Sequence, residues 1–466
     1  MSGREMKPIQ TYEHIPSVRR HICKFPVSMR FDDMRVSFEF QKMRRSFGFG
    51  FGFTYFESVA HLLQDSLESP SSDTSSPAPL LFFTLITVLA HAAALYAETS
   101  GDYWSTEQQK TFRSLITEQM KTLDPAIRDT QWRQAYGMSF PLFVMIVDEV
   151  KPFLLKQELY GGETMPPDAA VAMVLYRLSS GHNLRRIASE YKTGSATITK
   201  YTDLVTKALA TKLYSKYIKI PSGETLAEII TAFKDRTGLQ NMCGAIDGSH
   251  VKIHKRPDKE YSPGNYKCRH HFFAVLLQVV CDHRRMFWDV CCKAAGSTDD
   301  ATHLRGSSLF QKLTNGEVLV DTHVRIKGNH IRPYIVGDWG YPLFSFLLTP
   351  FTGNGSGTPA QNFFDERLMK GRAMVEEAIS LLKGRWKILQ NLNVGLNYAA
   401  QTVVACCVLH NICMLAEEPE PPVAPDPSEN GPIARALDTE RSLNYFGESM
   451  RQLLLEDLQE RNRNMF

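Results

Sequence analysis

Apolar residues recur with helical spacing through one part of this chain and gather into short, strand-like runs in another. Trp104 to Leu155 reads as helical, with Leu142 to Val150 apolar at 3.6-residue spacing. Pro166-Pro167 marks a helix start, since proline is tolerated in a first turn. Three short helices are expected next: Ala169 to Leu178, Leu184 to Tyr191, and one capped by Ser195 that runs to about Leu209. Lys192-Thr193-Gly194 makes the tight turn between the last two. Paired short helices around a glycine-containing turn form a helix-turn-helix pattern, and a plain helical subdomain reads equally from the same residues. Lys192 stands where the usual turn would carry glycine.

From Met242 the pattern changes. Cys243 to Asp247 reads as a buried strand ending in a carboxylate. Phe272 to Val280 is apolar except for Gln278, Met286 to Cys292 is a further strand, and Tyr334 to Val336 is another, ending at Gly337-Asp338. Amphipathic helices are expected near Asp365–Gln390 and Ala399–Leu415. This mixture of strands and helices argues an α/β fold. Glu417 to Pro422 reads as the start of a disordered linker, and Thr439 to Arg461 as a last helix with Leu443, Met450, Leu454 and Leu458 roughly on one face. The expected organisation is an atypical extension over 1–110, a helical region over 111–235, an α/β domain over 236–415, a Pro/acidic linker over 416–438, and a terminal helix over 439–466.

The extension is the least interpretable part. It holds a Gly/Phe run at Phe47–Phe53, a Ser/Pro-rich stretch from Ser66 to Pro79, and an apolar segment Leu80–Ala97 whose only polar residues are Thr84, Thr87 and His91. That segment sits at the lower length limit of a membrane span and has no basic flank before it; a buried helix is the expected reading.

Composition sharpens this picture. With 466 residues, 43% hydrophobic and 22% charged, the chain is neither collagenous nor wholly disordered, and it can fill a sizeable core. The net charge of +3 hides an uneven spread. Eleven acidic and five basic residues lie from Met414 onward, which leaves the body at +9. A basic body suits a polyanionic partner. Nine cysteines, including the adjacent pairs Cys291-Cys292 and Cys406-Cys407, do not space as a disulfide framework, which points to the cytosol or nucleus.

Three acids stand out. Asp247 and Asp338 each close a predicted strand, where open α/β sheets place ligands. The third is on a helix whose stripe is Val375, Ala378, Ile379, Leu382, Trp386 and Leu389. At about 100° per residue, Glu376 lies on one flank with Arg372 and Lys383, while Glu377 points towards solvent. Hard divalent cations take oxygen ligands, and a pair of such ions can drive phosphodiester hydrolysis if about three acids converge.

Gly244-Ala245-Ile246-Asp247-Gly248-Ser249-His250, Gly337-Asp338-Trp339-Gly340-Tyr341-Pro342-Leu343 and Arg372 to Trp386 resemble, in order, the three catalytic motifs of PIF/Harbinger transposases. Ala295 to Ala301 and Cys406 to Cys413 add to the likeness, which covers about Trp132 to Cys413; Asp299-Asp300 stands where the family has His-Asp. The resemblance implies a Harbinger transposase-derived nuclease of the DDE superfamily, with an RNase H-like catalytic domain behind an N-terminal helix-turn-helix region. It also implies Asp247, Asp338 and Glu376 as catalytic, metal-binding acids, a divalent cofactor (Mg²⁺ or Mn²⁺), DNA as substrate, a Myb-like protein partner, and the nucleus, with the cytoplasm as the other compartment. No membrane partner is expected. The terminal helix and acidic tail are candidates for the protein contact.

Lys252, Lys255, Arg256, Lys267 and Arg269 form a basic cluster after the first acid. With Lys383 and Arg385, and with Arg185, Arg186 and Lys200 around the helix-turn-helix, they are the expected nucleic-acid contacts. Cys407, His410 and Cys413 share one helix and cannot close a zinc tetrahedron alone, so they read as core. Cys268, His270 and His271 read as a groove wall. The alternative to an enzyme is a catalytically silent DNA- or chromatin-binding adaptor.

Overall fold

The computed structural model describes residues 123–157, 165–352, 357–424 and 433–462. The Gly/Phe run, the Ser/Pro stretch, Leu80–Ala97 and the start of the helical reading at Trp104 lie outside these residues.

Helices α1 (Pro125–Tyr136), α2 (Phe140–Gln157), α3 (Pro167–Ser180), α4 (Leu184–Tyr191) and α5 (Ser195–Ala208) come first. Asp124 caps α1 by accepting from the Ala126 amide at 2.9 Å. Helix α3 is apolar all round, and Ala169 to Leu175 are fully buried among α1, α2 and α5. Lys192 ends α4 in the left-handed conformation, φ 47°. The turn thus keeps the geometry that glycine would supply, at a steric cost to lysine. Gly194 is the N-cap of α5, so Ser195 is its first helical residue rather than its cap. A π-turn (Leu209–Leu213) prolongs α5 to Tyr217, and α6 (Gly223–Thr237) leads into the sheet.

The sheet holds β1 (Met242–Lys252), β2 (Ala274–Cys281), β3 (Phe287–Ala295), β6 (Tyr334–Val336) and β7 (Leu347–Leu348) in the order β3-β2-β1-β6-β7. The first three form an antiparallel meander; β6 runs parallel to β1, and β7 parallel to β6. Between them lie α7 (Asp300–Arg305), α8 (Ser308–Thr314) and a small hairpin, β4 (Val324–Ile326) with β5 (Asn329–Ile331). The fold is mixed α/β.

Asp247 does not close its strand. Pairing with β2 carries β1 on to Lys252, because Val275 to Val279 supply partners opposite Asp247 to Val251. On the other side, the β6 pairing stops at Ala245–Val336. That edge of β1 is therefore without a strand partner from Asp247 until Leu392 bridges Lys252 and His254.

Helices α6 and α9 (Pro359–Arg385) pack on β1, and α10 (Leu396–Leu415) lies between β3 and α5. Helix α10 is not amphipathic as expected; it is buried without a break from Ala405 to Cys413, because protein covers it on both sides. It is long and apolar enough to cross a membrane, and 67% of that stretch is buried inside the fold, as in a core helix.

The start of the acidic stretch is packed rather than disordered. Glu418 accepts from Arg133 Nε at 2.6 Å and from the Ser139 amide at 2.9 Å, and Arg385 donates to the Pro419 carbonyl at 2.7 Å. Helix α11 (Arg441–Arg461) buries Met450, Leu454, Leu455 and Leu458 against α9, β4 and β7. Gly447 lets it approach the Phe344 backbone, where a Cβ would lie 2.7 Å from the carbonyl carbon. Met450, Leu454 and Leu458 on its apolar face are covered by this chain, while Tyr445 and Phe446 are exposed.

Candidate functional site: an acidic cluster on one arginine

Asp247 and Asp338 each lie two residues beyond the last paired couple of two parallel strands, Ala245–Val336. Neighbouring strands run about 4.8 Å apart, so this register sets the two carboxylates side by side in the crevice where β1 and β6 part. Helix α9 crosses there and delivers Arg372 and, one turn later, Glu376. Arg372 Nη2 lies 3.2 Å from both Asp247 oxygens and 3.8 Å from Asp338 Oδ2, and Nη1 lies 2.9 Å from Glu376 Oε1. All three acids named from the sequence thus meet one guanidinium. Glu377 lies on the other flank, 3.7 Å from Arg285.

Arg372, Asp247 and Asp338 are largely buried, while the Glu376 side chain is half exposed. Burial pushes the Asp247 carboxyl up to about 7. Arg372 pulls it back, but Asp338 and Glu376 push it up again. Burial also disfavours the Arg372 cation, yet the carboxylates outweigh this and hold its proton above the ordinary range. Three acids against one base is the common cause.

Asp300 and Tyr341, neither among the expected site residues, also border the cluster. Asp300 begins α7 and faces β1 at Gly248, where a Cβ would collide with its Oδ1. A Cβ at Gly340 would lie 2.9 Å from Asp338 Oδ1 and 3.6 Å from Asp300 Oδ2. The fourth acid therefore closes the same cradle. Burial, then Asp300, Asp247 and Asp338, raise the Tyr341 phenol well above its ordinary value. Gly-Ser-Thr-Asp-Asp was the available signal for Asp300; nothing local marks Tyr341. Gly248→Ala is expected to cost about 1–3 kcal/mol through overpacking, read from chemical denaturation.

The basic residues divide into three sets. Lys252, Lys255, Arg256, Lys267 and Arg269 are exposed, on the end of β1 and the 253–273 connection that follows it. Lys252 Nζ and the Arg256 guanidinium each lie 5.9 Å from a ring centroid, those of Phe272 and Phe273. His270 stacks on Phe272 with centroids 6.0 Å apart, and Cys268 is buried beside it in sequence. Lys252 is five residues from Asp247, about 17 Å along the strand. Lys383 and Arg385 are a correction: both are buried. Lys383 donates to the His250 carbonyl at 3.1 Å, and Arg385 to those of Gly137 and Pro419, both at 2.7 Å. Spent on structural carbonyls, they are not placed to meet a phosphate. Arg185, Arg186 and Lys200 are exposed on α4 and α5, away from the sheet; Arg186 pairs with Glu190 and Lys200 covers the Tyr201 ring.

Cys407, His410 and Cys413 are core residues. Burial drives His410 down to about 4, and its Nε2 lies 2.9 Å from the Arg285 carbonyl. All eight cysteines among the described residues are buried and unbridged.

Residues 246–411, from the neighbour of the first acid to the closing helix, match the family described as DDE superfamily endonuclease. The likeness is confined to this segment, less than half of the chain. The DDE segment carries every member of the acidic cluster. An ALP1-like protein of Arabidopsis thaliana is 30% identical over 260 residues, 55% of this chain and 63% of that protein, so the match spans less than two thirds of its length. Antagonist of Like Heterochromatin Protein 1, also from Arabidopsis thaliana, is 27% identical over 62% of this chain and 74% of its own. HARBI1 of Homo sapiens, named a candidate nuclease, is 25% identical over 62% of this chain and 78% of its own. These relatives agree with the Harbinger transposase-derived character read from the motifs. No solved structure matches the chain significantly.

Proposed function

We propose that the chain is a metal-dependent DNA endonuclease derived from a Harbinger-type transposase, which hydrolyses phosphodiester bonds at the acidic cluster. One observation carries this reading: Asp247, Asp338 and Glu376, from two strands and a helix, converge on the single point held by Arg372. The sheet order, an antiparallel meander joined to parallel strands, supports an RNase H-like catalytic domain. The α4–turn–α5 unit supports a helix-turn-helix region that docks DNA.

The residues fit a divalent cation by donor chemistry. As placed, no three His, Cys, Asp or Glu side chains among the described residues are close enough to hold an ion. The donors are nevertheless hard oxygens, convergent, and in charge excess over one guanidinium, which is the environment Mg²⁺ or Mn²⁺ requires. Asp247, Asp338 and Glu376 would hold it. When bound, such ions supply activation of the attacking water and stabilisation of the leaving oxygen. The protein's own part is positioning. The basic connection after β1 holds the phosphate backbone, its half-buried rings border the path, and the part-buried acids keep bulk water from screening the site.

Lys255→Ala with Arg256→Ala should weaken duplex binding uniformly across sequences. The slope of log K against log salt should fall by about 2, measured by fluorescence anisotropy. An unchanged slope would remove this connection from the interface.

A second reading is a silent adaptor that binds DNA or chromatin. The ion pairs that fill the acidic cluster favour it, as does the name of the heterochromatin-protein antagonist among the relatives. A nuclear location and a Myb-like partner accompany either reading. Labelled duplex DNA incubated with the full chain and Mg²⁺ or Mn²⁺, followed for cleavage and for binding, separates the two. Metal-dependent cleavage supports the enzyme; binding without cleavage supports the adaptor.

A further inference from the structure

We propose that Arg372 is the resting counter-ion of the acidic site, and that a divalent cation enters by displacing its guanidinium. This rests on the metal-dependent reading above.

The partners of Arg372 set it apart from the other buried arginines. Arg177 divides its donors between the Thr202 hydroxyl and the Asn393 carbonyl and side chain, and Arg385 bridges two backbone carbonyls. Those are structural bridges. Arg372 meets carboxylates alone: Asp247, Asp338 and Glu376. The guanidinium instead stands where positive charge is needed, between acids on separate elements.

Without that charge, Asp247 and Asp338 would face each other unneutralised in a largely buried crevice, and leaving buried charges unpaired is strongly destabilising. A cation with two charges offers the same carboxylates a stronger and more compact partner. Both cannot occupy the point between Asp247 and Asp338, because like charges at such separations repel. An exit is present: Glu376, the third partner, is half exposed, so the long Arg372 side chain can follow it towards solvent. The arrangement keeps the acids assembled before the cation arrives, and it weakens cation binding by the work of moving the arginine.

Calorimetric titration of Mn²⁺ into the metal-free full chain tests this, with Arg372→Met, Arg372→Lys, and Asp247→Asn to subtract binding elsewhere. Arg372→Met should bind Mn²⁺ at this site about tenfold or more tightly than wild type. Arg372→Lys, which keeps a charge but cannot fork across three acids, should fall between them. Melting temperature should drop in metal-free Arg372→Met and be restored by Mn²⁺. Equal or weaker Mn²⁺ binding in both variants would overturn the proposal and make Arg372 a fixed positioning residue. If Arg372→Met does not fold, Arg372→Lys alone decides by the same criterion. Absence of Asp247-dependent Mn²⁺ binding in every form would overturn the metal-dependent reading together with the proposal.

Discussion

Asp247→Asn should lower Mg²⁺- or Mn²⁺-dependent cleavage of duplex DNA by about 10³-fold, the loss expected when charge stabilisation at a reacting centre is removed. The fold should survive. Asparagine is isosteric, and its oxygen can still accept from the Gly248 amide, which lies 3.0 Å from Asp247 Oδ1. Arg372 keeps Asp338 and Glu376 as partners. The sign of the stability change follows from the raised Asp247 pKa. The native carboxyl holds its proton up to about 7, whereas an unfolded one releases it near 3.8. Between those values the native state binds more protons, so wild type loses stability as pH rises from about 4 to about 7. The asparagine variant lacks this loss. It should therefore be more stable than wild type at pH 8, with the advantage shrinking to nothing below about pH 4. Denaturant titrations at the two pH values check this, and a variant less stable at pH 8 would show that the ion pair outweighs the charge excess.

Trp386→Ala should destabilise the chain by about 3–5 kcal/mol, the cost of emptying a large, fully buried aromatic site. Trp386 ends α9 with no exposed surface. Its ring lies where a Cβ on Gly137 would be 3.2 Å from Cζ3. It therefore joins the helix that carries Arg372 and Glu376 to the turn after α1, and the Lys387–Gln390 turn that follows it packs on α3. Next to it, Arg385 fastens the same helix end to the Gly137 and Pro419 carbonyls. Loss of the indole should loosen α9 at one end, so cleavage should fall along with stability. A loss under 1 kcal/mol, read from urea unfolding, would mean that the helical layer does not hold α9.

The acids were legible because their signals are local. The Arg372-to-Glu376 spacing is one helical turn and can be read from the sequence alone. Glu376 ranked above Glu377 by helix phase, and they do lie on different flanks, one on Arg372 and the other near Arg285. What could not be read depends on partners far away in sequence. Asp247 lies within its strand because β2 extends the ladder past it. Lys383 and Arg385 looked like phosphate contacts because they follow the third acid on its helix and extend the basic cluster. Carbonyls at His250, Gly137 and Pro419 draw them inward, and only tertiary packing brings those together. Glu418 misled in the opposite sense. An acidic, proline-rich stretch has the composition of a linker, yet Arg133 and the Ser139 amide fix it in place. The role of Arg372 was hidden for the same reason: periodicity set it beside Glu376, but only the sheet register brings Asp247 and Asp338 to its other nitrogen.

The central claim is that the acidic cluster cuts DNA with a divalent cation. Nicking of supercoiled plasmid by the full chain, titrated with Mn²⁺ and compared with an EDTA control, tests it most directly. Nicking should rise with Mn²⁺ and vanish in EDTA. Saturating plasmid binding with no nicking at any Mn²⁺ concentration would contradict it.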